Sequence, residues 1–175
     1  ALSKGEKLEF SDHTFDLITC LDTLEHIEDE GKVLSEIQRV GKPRGYALLT
    51  VPAGPFLFSP YDTTSGHFRR YSKKSLKTLL EKNGFSIVKL SYYNFFLYPP
   101  IALIRFLSKY LPIPAGSEKA LKIPQTHVNR ILTDIFAFES KILPNINFPF
   151  GVSLMAIATY DKPAQSHTRT RKTLS

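Results

Sequence analysis

The chain has one cysteine among its 175 residues, which excludes an internal disulfide. Cys20 sits in the apolar run Phe15 to Leu21 and reads as a small buried hydrophobe of a protein suited to a reducing compartment. No apolar run approaches the roughly 20 residues that a bilayer-spanning helix needs. The opening ALSKGEKLEF is mixed in charge and lacks an apolar core, which predicts no secretory leader and a cytoplasmic location. There is no internal repeat and no compact nucleic-acid recognition motif. Acidic residues are the scarcer charge, 16 against 23 Lys and Arg, and the formal net charge of +7 would suit nucleic acid or an anionic lipid surface. Part of that excess lies in the closing SHTRTRKTLS, which has no apolar periodicity and predicts a basic flexible tail over residues 161–175. Charge alone therefore names no partner.

What is present suffices for one ordinary domain, since 42% hydrophobic residues, with 13 Phe and 8 Tyr, fill a sizeable core. Phe15 to Leu21 predicts a short buried strand, and Val33, Leu34, Ile37 and Val40 recur at helical spacing. Glu28, Asp29 and Glu30 at the front of that helix and Arg39 at its end agree with the helix dipole. GKPRG stops the helix, and YALLTVP is a second strand. GPFLFSPYDTTSGHFRRY predicts a long irregular segment, because Pro52, Pro55 and Pro60 resist regular structure. Ser72 caps the helix KKSLKTLLEKN, whose Leu76, Leu79 and Leu80 face the sheet; Gly84 terminates it and FSIVKLS follows as a third strand. The alternation predicts an α/β fold with a mostly parallel sheet. Residues 92–150 read as a helical insertion that feeds back into the same sheet through the final strand VSLMAIATY.

FSDHTFDLITCLDTLEHIEDEGKVLSEIQRVGKPRGYALLTVP followed by GHFRRYSKKSLKTLLEKNGFSIVKL resembles the C-terminal half of a class I S-adenosylmethionine-dependent methyltransferase of the type 11 and type 23 groups. The resemblance covers residues 5 to 91, and residues 151 to 160 more loosely. It implies a partial Rossmann-like sheet, with Phe15 to Leu21, Tyr46 to Val51, Phe85 to Ser91 and Val152 to Tyr160 as the family's fourth to seventh strands, the last antiparallel. Residues 1–160 are then the C-terminal portion of a methyltransferase domain. The family's glycine-rich cofactor turn has no counterpart in the sequence, so the resemblance implies that a missing N-terminal half is supplied in cis or by another chain. Lys4 stands where the family carries an acidic residue contacting adenine, and in GKPRG Gly41 and Arg44 replace the usual leucine and first glycine. The resemblance places Cys20, Leu21 and Asp22 at the S-adenosylmethionine site.

Asp22, Glu25 and His26 crowd the join between strand and helix. A helix beginning near Asp22 would set all three around its first turn. They resemble the pattern of the family's metal-using O-methyltransferases, an acid, two residues and Glu-His, with His67 in GHFRRYS at the later histidine position. That resemblance implies Asp22, Glu25, His26 and His67 as ligands of magnesium, manganese or zinc, gripping a substrate hydroxyl. Two other readings account for the same residues. Asp22 caps, Glu25 pairs and His26 packs locally; or His26 or His67 acts as a metal-free general base.

Arg69, Arg70, Lys73 and Lys74 would suit a phosphorylated, glycosyl-diphosphate or RNA substrate, with Arg70 the stronger candidate for a catalytic role; alternatively one Arg closes the loop on backbone carbonyls and the lysines are solvated. Leu103, Ile104, Leu107 and Leu111 form an apolar stripe opposite Arg105, Ser108 and Lys109. With Tyr92, Tyr93, Phe95, Phe96 and Tyr98 before it, that stripe either docks on the sheet, touches the inner membrane surface or covers a lipid-linked or quinone-like substrate. The leading expectation is methyl transfer to an oxygen or nitrogen acceptor. The alternatives are a non-catalytic, degenerate methyltransferase-like subunit and, with less support, a nucleic-acid-binding module.

Overall fold

The computed structural model describes residues 7–107 and 126–160. They form a four-stranded sheet in the order β1 (Phe15–Leu21), β2 (Gly41–Pro52), β4 (Ser153–Thr159), β3 (Ser86–Tyr93). β1 and β2 are adjacent and parallel, with Ile18 beside Ala47 and Cys20 beside Leu49, and β4 runs antiparallel between β2 and β3. This is the expected α/β architecture of parallel strands, a final antiparallel strand and a helical insertion.

Two amphipathic helices cover one face of the sheet. In α1 (Glu30–Val40) the Asp29 carboxylate accepts from the Lys32 N–H, and Val33, Leu34, Ile37 and Val40 are buried. In α3 (Lys73–Lys82) the Ser72 hydroxyl accepts from the Ser75 N–H, Leu76 and Leu80 are buried, and Gly84 ends the helix at φ +80°. They meet the inward residues Ala47, Leu49 and Val51 of β2 and Leu154, Ala156 and Ala158 of β4 in a single core. Each leucine buried there contributes roughly 1.5–3 kcal/mol.

Four expectations need correction. β1 is not a buried strand. Among its residues only Cys20 is buried, and Leu17 and Leu21 are 57% and 51% exposed. Among the described residues β1 pairs with β2 alone, and its outward side chains lie beside Tyr46 and Thr50 on the face away from the core. GKPRG ends α1 at Val40 as expected, but the second strand starts there, five residues before YALLTVP, so GKPRG belongs to β2. Gly41 pairs with Phe15 and Tyr46 with Leu17, so the strand bulges, with Arg44 in the left-handed region at φ 63°. Gly41 is a glycine for a steric reason, since a Cβ there would fall 1.5 Å from the Tyr160 hydroxyl oxygen.

The segment after β2 is the third. It holds a 3-10 turn, Pro55–Leu57, and a short helix, α2 (Pro60–Thr64), nucleated by a capping box between Ser59 and Asp62 with Pro60 at the first helical position. The fourth concerns the insertion. In α4 (Tyr98–Leu107) Arg105 turns inward onto Asp62, while Leu103, Ile104 and Leu107 are exposed, the reverse of docking by the apolar stripe. The aromatic run before α4 does pack: Phe95 stacks on Phe148 and Phe150 with ring centroids 4.9 and 4.6 Å apart. In α5 (Thr126–Ile142) the buried Glu139 accepts from the backbone N–H groups of Asn94 and Phe95. No described helix is long and apolar enough to cross a membrane. Lys4, Ser108, Lys109, Leu111 and the tail 161–175 lie outside the described residues.

Candidate functional site

Both parallel strands end on the same side of the sheet, outside which open α/β folds place their ligands. β1 stops at Asp22, whose backbone is left-handed at φ 44° and whose N–H is held by the Thr50 carbonyl and hydroxyl at 3.0 Å each. Leu24 inserts into the core, and a 3-10 turn over Leu24–His26 carries Glu25 and His26. The helix expected to start near Asp22 starts at Glu30, so the carboxylates and imidazole stand on a turn and not on a helix face.

That turn is stitched to the loop after α2. The Phe68 N–H donates to the Glu25 carbonyl at 2.8 Å, and the His67 N–H to the Asp62 carbonyl at 2.9 Å. One potential ligand atom from each of Glu25, His26 and His67 thereby falls within 4.8 Å of the others. Asp22 stands outside that group.

Glu25 is buried, and its Oε2 has no hydrogen-bond partner among the described residues. Burial pushes its carboxyl above the ordinary value; a hydrogen bond to its own backbone N–H opposes the push, and the Asp22 charge adds to it. The imidazoles lie edge to face with centroids 4.6 Å apart. His26 Nδ1 is 3.2 Å from the Gly66 carbonyl oxygen, which can only accept, so this nitrogen carries the proton. His67 Nδ1 is likewise 3.2 Å from Asp62 Oδ1. Each ring then keeps a lone pair on Nε2.

Asp62 is the residue of this cluster that the sequence reading missed. It is fully buried and receives Arg70 Nε and Nη2 on Oδ1 at 2.7 Å each, and Arg105 Nη1 on Oδ2 at 2.7 Å. The Ser59 N–H and hydroxyl also donate to Oδ2, at 2.9 and 3.0 Å. Burial opposes ionisation, but the two guanidiniums hold its carboxyl well below the usual carboxylate range. The signal available in the sequence was Ser-Pro-x-Asp, a capping box with proline at the first helical position.

Arg70 is buried and also donates to the Ala53 carbonyl at 2.9 Å, so it ties the loop to β2 and its guanidinium is not presented to solvent. Arg69 binds Glu30 at 2.9 Å and the Glu28 carbonyl at 3.1 Å. Tyr71 donates to Glu30. Both arginines of GHFRRY are thus engaged within the protein, as the loop-closing reading expected of one. Burial pushes the Cys20 thiol up to about 11, which keeps it an unreactive packing group.

Comparison with known proteins places this arrangement. Residues 3–90 match the methyltransferase domain family. An uncharacterized protein of Methanocaldococcus jannaschii is 29% identical over 120 residues, 66% of this chain and 52% of that protein. Phosphoethanolamine N-methyltransferase 2 of Haemonchus contortus, solved with S-adenosyl-L-methionine, superposes with a TM-score of 0.52 at 18% identity, over 90% of this chain and 36% of its own. The [4+2]-cyclase SpnF superposes with a TM-score of 0.53 at 18% identity, over 91% and 54%. At these identities the likeness is one of fold, and SpnF carries a different reaction on it. The chain spans about half the length of the curated relative it matches. With half of its residues matched and the parallel β1–β2 pair in place, the chain belongs to the methyltransferase domain family and has a class I, S-adenosylmethionine-dependent methyltransferase-like fold.

Proposed function

We propose that this chain is the acceptor-facing part of an S-adenosylmethionine-dependent methyltransferase that uses a divalent ion at Glu25, His26 and His67 to methylate an oxygen acceptor. The observation that carries the reading is the buried, unpartnered Glu25 Oε2 beside two imidazoles. A buried carboxylate without a partner is costly, and a cation satisfies it. One carboxylate and two neutral imidazoles suit zinc or manganese better than magnesium, which prefers oxygen.

S-adenosylmethionine, when bound, supplies the electrophilic methyl group. Glu25, His26 and His67 would hold a divalent ion, which would supply Lewis-acid activation of an acceptor hydroxyl. Leu21 and Asp22, exposed at the carboxyl end of β1, line the cofactor side, and Cys20 contributes only backbone there because its side chain packs in the core. Toward the ion Asp22 acts only through its charge on Glu25, since it stands apart from the ligand group. His26, exposed and with its Nδ1 proton given to Gly66, offers Nε2 to the ion, and the proton of the acceptor hydroxyl leaves to solvent. Arg70 positions the loop and touches no substrate. The engaged arginines and the exposed apolar α4 favour an apolar or lipid-linked hydroxyl acceptor over a phosphorylated one. A further segment, in cis or from another chain, covers the apolar face at Leu17, Leu21 and Tyr46, pairs with the open edge of β1 and completes the cofactor site.

The test is calorimetric titration of zinc and manganese into the full-length polypeptide, with methyl transfer from labelled cofactor to a catechol probe followed in parallel. One site that disappears in Glu25→Gln and His67→Ala, with transfer lost on chelation and restored by the ion, is expected. Full methylation after rigorous chelation would reject the ion.

A further inference from the structure

The insertion helix touches the loop that carries His67 with the Arg105 guanidinium. Arg105 Nη1 donates to the Leu57 carbonyl at 3.0 Å, to the Ser59 hydroxyl at 2.9 Å and to Asp62 Oδ2 at 2.7 Å, and its guanidinium carbon lies 5.6 Å from the Tyr61 ring centroid. On the same helix Leu103 and Ile104 are 59% and 58% exposed. A helix seated by the hydrophobic effect alone would show the opposite face, so the polar clamp decides its orientation. The clamp also divides the Asp62 carboxylate. Oδ2 is taken by Arg105 and by both donors of Ser59, and Oδ1 by Arg70 and His67. With partners fixed on both oxygens the carboxyl cannot rotate, and Oδ1 stays aimed at His67 Nδ1.

We propose that Arg105 is a positioning residue for His67. By clamping Asp62 Oδ2 it keeps Oδ1 as a fixed acceptor for the Nδ1 proton, and so leaves Nε2 as the ring nitrogen of His67 with a lone pair to offer. The insertion helix is thereby part of the site's framework, and a ligand that displaces α4 acts on His67. What Nε2 is used for rests on the proposed ion site; the positioning of the ring does not. The sequence spacing of 43 residues between Asp62 and Arg105 gives no hint of the link.

The experiment records long-range proton–nitrogen spectra of histidine-labelled, metal-free full-length protein at about pH 8, where imidazoles are neutral. Wild type shows His67 as a single Nδ1-protonated tautomer. Arg105→Met gives a mixture of tautomers, Arg105→Lys an intermediate spectrum, and Leu103→Ser, on the exposed face of the same helix, none of these changes. Zinc affinity falls roughly 10–100-fold in Arg105→Met, the usual effect of losing an outer partner of a ligating histidine. A merely structural role would lower thermal stability and leave tautomer and affinity untouched, and that result overturns the inference. So does a tautomer mixture in wild type. If wild type takes up no zinc, the ion site falls while the spectra still decide the role of Arg105. If Arg105→Met does not fold, the Arg105→Lys spectrum decides, and one identical to wild type counts against the inference.

Discussion

Replacing Glu25 by Gln changes stability in opposite directions with and without an ion. In the metal-free protein Glu25 is buried with Oε2 unpartnered, and its carboxyl is raised by burial. An unsatisfied buried polar group costs roughly 1–3 kcal/mol, and more when charged. The neutral amide keeps the shape and removes the charge, so at about pH 8 the metal-free variant is more stable than wild type by roughly 1–2 kcal/mol. For a chain of this size that raises the midpoint by about 2–8 °C. The sign with pH follows from the raised folded-state value. The unfolded chain ionises first, so the wild type loses stability as pH rises above the ordinary glutamate value of about 4.3, at about 1.4 kcal/mol per pH unit, until the folded carboxyl ionises as well. The variant lacks this loss. Zinc at about 100 times its Kd stabilises the wild type by about 2.7 kcal/mol and leaves the variant unchanged. Thermal denaturation at about pH 5 and about pH 8, each with and without zinc, measures all four states. A metal-free variant less stable than wild type at the higher pH, or equal zinc stabilisation of both proteins, refutes the reasoning.

Asp62→Asn leaves two buried guanidiniums short of their counter-charge and lowers stability by about 3–5 kcal/mol in urea denaturation. Because the folded Asp62 carboxyl is depressed, its stabilisation is present above about pH 4 and is lost as pH falls below that; the variant's acid unfolding curve lacks this component. Gly41→Ala drives a methyl into the Tyr160 hydroxyl and destabilises by roughly 1–3 kcal/mol, a loss that Tyr160→Ala largely removes in a double-mutant cycle. His67→Ala reduces zinc affinity by more than the roughly 10–100-fold of an outer-shell loss, whereas Asp22→Ala, outside the ligand group, has the smaller effect; competition titration separates them.

The strands and the two core helices were legible because their apolar residues repeat at the periods that burial imposes, as in Val33, Leu34 and Ile37 or Ala47, Leu49 and Val51. GKPRG marks the end of α1 correctly but hides the start of β2, because Gly41 is needed to make room for Tyr160, a contact 119 positions along the chain. Glu25, His26 and His67 were found through family resemblance, and the distances bring them together. The same resemblance includes Asp22, but the helix that would set it beside Glu25 and His26 starts eight residues later, at Glu30, and Asp22 stands outside the ligand group. Asp62 stayed hidden in a proline-rich stretch. Its role depends on Arg70 and Arg105, which periodicity does not connect. Arg105 lies opposite the apolar stripe in the helical pattern, and nothing in that pattern ties it to Asp62.

The most direct measurement is titration of S-adenosylmethionine into the full-length polypeptide, with any partner chain that completes it, monitored by calorimetry and followed by the same titration in Asp22→Ala. Saturable one-to-one binding, weakened in the variant, is the predicted result. Absence of binding in the complete protein would contradict the account, since a methyltransferase fold that holds no methyl donor has another task.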